Sequence, residues 1–182
     1  MKYIFTDGST FNNGKYGAHG GIGIYFDKMK IPDISMPFLI EHPTNNKTEL
    51  YAINKALESI IDTYMTKNIS IKDKDYTIVS DSQYAIKSLT IWLPAWKAKD
   101  WKTSENKEVK NLCLIRQNDN LLFTAKKLGL NMQFLHTRSH RVEPKDRRSL
   151  EYFLWNGNNI SDKLAKNGAL KIGRFIGLLK RR

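Results

Sequence analysis

The sequence predicts an α/β fold, a five-stranded mixed sheet flanked by helices on both faces. Two observations carry that expectation. Short β-rich runs and longer segments of helical period follow one another as three strands, a helix, a strand, helices, a strand and a helix, an order that suits a mixed sheet covered by helices. The 182 residues are enough to bury one sizeable core and short for two, and 41% hydrophobic with 26% charged residues is ordinary globular composition. A single domain over residues 1–182 is expected.

Taken in order, residues 2–6 and 22–26 read as strands, and Asn12, Asn13, Gly14, Gly17, Gly20 and Gly21 between them tolerate positive φ and read as a turn. These glycines do not form G-x-G-x-x-G after a strand, which excludes a dinucleotide loop. A third strand is expected near 37–41. From 46 to about 64, Leu50, Ile53, Leu57, Ile60 and Ile61 recur at three- and four-residue steps, giving a helix with one apolar stripe. A strand at 76–79, helices at 82–89 and 108–128, and a fifth strand at 132–136 follow. The final helix is expected at 158–170, with Ile172, Phe175, Ile176 and Leu179 as a candidate continuation. The charged stretch 138–151 is the best candidate for a long exposed loop. No internal repeat or low-complexity linker interrupts this order.

Charge narrows the function classes. Thirty Lys+Arg against 18 Asp+Glu give +12 and a pI near 9.7, which favours a polyanionic partner through counterion release. Seven of the basic residues and no acid fall between Lys163 and Arg182. Cys113 is the only cysteine, so an intramolecular disulfide is excluded, and no Cys/His cluster suits structural zinc. The start runs straight into a strand and no stretch reaches membrane-spanning length, so a cytoplasmic protein with no membrane partner is expected.

Four acids stand out, although each alone has an ordinary structural reading. Asp7 precedes Gly8, a common turn pair. Glu49 lies three residues after Asn46, a capping-box spacing. Asp81 separates a strand from a helix, where a cap belongs. Asp162 lies near the start of the last helix, where the macrodipole favours an acid. Together they suggest a metal cluster for phosphodiester hydrolysis, since two Mg²⁺ ions about 3.5–4 Å apart need hard oxygen ligands to be held together.

At these positions the sequence resembles ribonuclease H of type 1, the family represented by the bacterial enzyme. The matching segments, in order, are Thr6-Asp7-Gly8-Ser9, Thr44-Asn45-Asn46-Lys47-Thr48-Glu49-Leu50, Ser80-Asp81-Ser82-Gln83-Tyr84 and Asn158-Asn159-Ile160-Ser161-Asp162-Lys163-Leu164-Ala165. The resemblance implies a ribonuclease H-like fold and endonucleolytic cleavage of the RNA strand of RNA–DNA hybrids, leaving 5′-phosphate and 3′-hydroxyl ends. It implies two Mg²⁺ ions, with Mn²⁺ a possible substitute, bound by Asp7, Glu49, Asp81 and Asp162. Gly8, Ser9, Asn45, Gln83 and Asn158 would contact the hybrid, those around Asp7 and Glu49 meeting the RNA 2′-hydroxyls.

Residues 92–111 are similar to the family's basic protrusion, which grips the DNA strand, and Trp92, Trp96, Lys97, Lys99, Trp101 and Lys102 are its candidate contacts. Tryptophans anchoring a helix to the core would also account for them, and the local net charge is only +2 (five Lys against Asp100, Glu105 and Glu108). His140 is the candidate for the family's loop histidine, which assists proton transfer or product release, with His136 its rival. The flanking glycines of the family are here Ser139 and Arg141, and residues 141–157 read as an inserted loop. That loop is either a second substrate contact or a solvated excursion tied down by Phe153 and Trp155. Residues 171–182 read as a basic tail. A standalone, monomeric catalytic domain is expected. The competing readings are a non-catalytic nucleic-acid binder and a DNA nuclease or junction resolvase of the same fold.

Overall fold

In the computed structural model, which describes residues 1–66, 74–139 and 141–179 and the side chains of the last helix as far as Ile172, five strands form one sheet. They are β1 (Lys2–Phe11), β2 (His19–Phe26), β3 (Ile34–Phe38), β4 (Asp75–Ser80) and β5 (Asn131–His136), in the order β3-β2-β1-β4-β5. Short connections join β1, β2 and β3, which pair antiparallel, whereas helical crossovers bring in β4 and β5, which pair parallel. The mixed sheet expected from the element order is thus present.

Helix α1 (Asn45–Thr66) packs on β1 and β2, and α4 (Leu112–Lys127) packs on α1. Helix α5 (Leu150–Leu179) crosses β1, β2 and β3. Neighbouring glycines of β2 show that α1 and α5 lie on opposite faces: a side chain on Gly20 would meet Thr48 of α1, and one on Gly21 would run into the backbone of Ala169 in α5. The stripe Leu50, Ile53, Leu57, Ile60 and Ile61 is buried with Ile4, Ile22, Ile24 and Ile78 of the sheet. Each such side chain contributes about 1.5–3 kcal/mol on leaving water.

Several boundaries differ from the sequence expectation for local reasons. Gly20 and Gly21 belong to β2 rather than to the turn, Gly20 making room for Thr48 of α1 on one face and Gly21 letting α5 lie close on the other. The third strand ends at Phe38, and beyond it Leu39 and Ile40 are exposed; Pro37 is accommodated because β3 is an edge strand. The helix expected at 82–89 continues as α2 (Gln83–Lys87), a π-helical turn (Ser88–Trp92) and α3 (Leu93–Ala98), with Pro94 in the first turn of α3, where its missing N–H costs little. Helix α4 starts at Leu112 rather than 108, after Asn111 in left-handed conformation.

The largest difference is at α5, which starts eight residues earlier than expected. Ser149 caps it, its Oγ accepting from the Tyr152 N–H at 3.1 Å, and Phe153 packs edge-on to Tyr3 and Phe5. The supposed insertion 141–157 is therefore a shorter loop followed by two helical turns.

Candidate active site

Each of the four acids loses its ordinary explanation. Asp7 is in the middle of β1, paired with Gly23 of β2, and not in a turn. Thr44 rather than Asn46 caps α1, its Oγ1 accepting from the Lys47 N–H at 3.3 Å, so Glu49 lies outside a capping box. Ser82 caps α2 by accepting from the Ala85 N–H at 3.2 Å, leaving that task to no part of Asp81. Asp162 is three turns inside α5, away from the positive end of the macrodipole.

The fold brings these acids to one place. Gly8 allows it: a Cβ there would collide with the backbone of Thr48 and Glu49, so only glycine lets α1 press Glu49 toward Asp7. Asp7, Glu49 and Asp81 each offer a carboxylate oxygen within 4.8 Å of the others. Asp162 lines the same open cavity of about 770 Å³ and is bonded to Lys166 Nζ at 2.7 Å, outside the compact trio. Asn158 donates from Nδ2 to Asp81 Oδ2 at 3.4 Å, and His136 Nε2 meets the Asp81 carbonyl at 3.2 Å.

Crowding acids in a buried place disfavours their charged forms. Burial first, then the charge of Asp81 and more weakly that of Asp162, push Asp7 up to about 7, against a hydrogen bond with Glu49 that pulls it down. Glu49 is raised well above the usual carboxylate range, by burial and then by the charges of Asp7 and Asp81. Its Oε2 is buried without a hydrogen-bond partner among the described residues. An unpartnered carboxylate oxygen beside two further carboxylates is costly unless a cation meets it. The donor set, all hard oxygen, fits a divalent metal ion.

The RNase H family profile matches residues 1–170. The chain belongs to the RNase H family. It is 39% identical to ribonuclease H of Schizosaccharomyces pombe over 91% of this chain and 52% of that one, and 30% identical to ribonuclease H of Edwardsiella ictaluri over 80% and 82%. Against ribonuclease H1 of Homo sapiens the identity is 29% over 91% and 49%, so the chain spans about half the length of these two eukaryotic relatives. Among solved structures, the PFV RNase H domain superposes with a TM-score of 0.64 at 20% identity, covering 93% of this chain and 94% of that one. The foamy viral protease-reverse transcriptase in complex with RNA/DNA hybrid gives 0.65 at 20% identity, covering 92% and 20%. These likenesses show the ribonuclease H-like fold.

Of the expected substrate contacts, Gly8, Ser9, Asn45 and Asn158 line the cavity with the acids. Gln83 is exposed at the start of α2, outside the cavity lining. Trp92 and Trp96 face each other with centroids 5.6 Å apart, and Trp96 and Trp101 pack against the core, so the tryptophans do anchor this segment. Lys97 is paired with Asp119 at 2.7 Å, while Lys99 and Lys102 are exposed. His140 lies outside the described residues. Sequence reasoning did not put Arg138, Ser139 or Lys166 at the site, although Lys166 stands one helical turn after Asp162, a spacing that pairs charges on one face.

Proposed function

We propose that the chain is a metal-dependent endonuclease that hydrolyses the RNA strand of RNA–DNA hybrids, leaving 5′-phosphate and 3′-hydroxyl ends. The observation that carries this reading is the trio Asp7, Glu49 and Asp81, gathered within 4.8 Å at the open cavity of an RNase H-family fold. The relatives, which are ribonucleases H, and the viral neighbour, which was solved in complex with RNA/DNA hybrid, support the same substrate.

Two Mg²⁺ ions, with Mn²⁺ as substitute, would supply activation of the attacking water and stabilisation of the leaving 3′ oxygen. Asp7, Glu49, Asp81 and Asp162 would hold them. Asn158 fixes one oxygen of Asp81 by its amide, and Asp7 and Glu49 must give up protons before they can act as ligands. Asn45 and Gln83 would read the hybrid's minor groove, and Gly8 and Ser9 the RNA 2′-hydroxyls. Trp92, Trp96, Lys97, Lys99, Trp101 and Lys102 would form the DNA-strand grip. His140 would aid proton transfer or product release, since His136 is engaged with the Asp81 carbonyl. We further infer a monomer in the cytoplasm; no helix among the described residues is long and apolar enough to cross a membrane.

Asp7→Asn tests the assignment. Hybrid binding in a gel shift should persist while Mg²⁺-dependent cleavage falls by about three orders of magnitude or more. Substantial turnover by that variant contradicts the role given to Asp7.

A further inference from the structure

The cavity has a second wall of opposite charge. Arg138 and Arg141, on the stretch after β5, line it together with Lys166 and Trp155 of α5. Arg141 is held at two points by the first turns of α5. Its backbone carbonyl accepts from the Trp155 indole Nε1 at 2.9 Å, and its Nη2 donates to Glu151 Oε1 at 2.6 Å. Those turns are themselves fixed to the sheet. The Phe153 ring lies 5.1 Å from Tyr3 and 5.4 Å from Phe5, and Gly157 leaves the room that the Phe5 ring fills.

An isolated set of carboxylates repels a phosphodiester. Cations across the same cavity offset that repulsion, and a guanidinium presents a planar fork of donors suited to phosphate oxygens. An arginine already ordered by its neighbours loses less rotamer freedom when it meets its ligand. Resting on the nuclease reading above, we propose that Arg138 and Arg141 form a phosphate-binding arm for the strand lying over the carboxylates, and that Trp155 and Glu151 are positioning residues that hold this arm. The early start of α5 then has a purpose at the site: it carries both positioning residues.

The full chain provides the test. Hybrid affinity is measured by fluorescence anisotropy across a salt series in an Asp7→Asn background, and KM and kcat are measured without that change. Arg141→Ala should lower the slope of log Kd against log salt by about one, and raise KM about five- to twentyfold with kcat within about threefold. Arg141→Lys should keep the slope. Trp155→Phe keeps an aromatic ring and removes the indole N–H; it should raise KM about threefold and add nothing to Arg141→Ala in the double variant. Wild-type KM and slope in Arg141→Ala, or full additivity of the two changes with thermal melts intact, overturns the arm. If the wild-type chain binds hybrid and never cuts it, the nuclease reading fails, and the salt slope still decides whether the arm contacts phosphate.

Discussion

Asp7 carries the most consequential chemistry of any single position. Its carboxyl is raised to about 7, so in the metal-free protein it gives stability that is full below the usual value of 3.8 and lost as pH rises through about 7. Glu49 acts in the same direction. Thermal melts in chelator should therefore fall from pH 4 to pH 8, and Asp7→Asn, which removes a buried charge, should flatten the curve and stabilise the metal-free protein at pH 8 by about 1–3 kcal/mol. Destabilisation by Asp7→Asn at pH 8 would falsify this account of the cluster. Metal binding must displace the same protons, so Mg²⁺ affinity measured by calorimetry should weaken below about pH 7, with protons released on binding. The four acids were legible in the sequence as a set, through their motif contexts. Their individual surroundings were not, because the spacings around Glu49 and Asp81 imitate capping roles that Thr44 and Ser82 actually perform, and the Asp7-Gly8 pair imitates a turn where β1 runs on unbroken.

The strands and α1 could be read from local pattern because each buries one face or a continuous apolar run, and that periodicity is written in Leu50, Ile53, Leu57 and their neighbours. The start of α5 could not. Asn156, Gly157, Asn158 and Asn159 are poor helix formers, and contacts distant in sequence, Phe153 on Tyr3 and Phe5 with Gly157 against the Phe5 ring, override them. Phe153→Ala should cost about 1–3 kcal/mol in urea unfolding and lower activity by loosening the helix that carries Asn158 and Asp162. Gly23→Val should do more damage, since a side chain there enters the backbone of Ser161 and Ala165. In the segment after α2, anchoring and binding can be separated. Trp101, which packs on the core beneath Arg116, should lose stability as alanine, whereas Lys99→Ala with Lys102→Ala should leave the melt unchanged and reduce the salt dependence of hybrid binding.

A net charge of +12 around an acidic cleft makes chemical sense as a division of labour: the basic exterior attracts a polyanion, and the carboxylates concentrate metal at one point along it. Composition shows the first half of that arrangement and cannot show the second, which exists only once β1, α1, β4 and α5 converge. Asp7 is held by β1, Glu49 by α1 and Asp162 by α5, while Asp81 sits in the two-residue turn between β4 and α2, where Asn158 holds its carboxylate. The most direct measurement is a metal-dependent cleavage panel with labelled RNA–DNA hybrid, RNA duplex, DNA duplex and single-stranded RNA. The expected result is Mg²⁺-dependent cutting of the RNA strand of the hybrid, abolished by chelator, with the other three substrates left largely whole. A hybrid that is bound yet stays intact, or duplex DNA cut at a comparable rate, would contradict the proposed function.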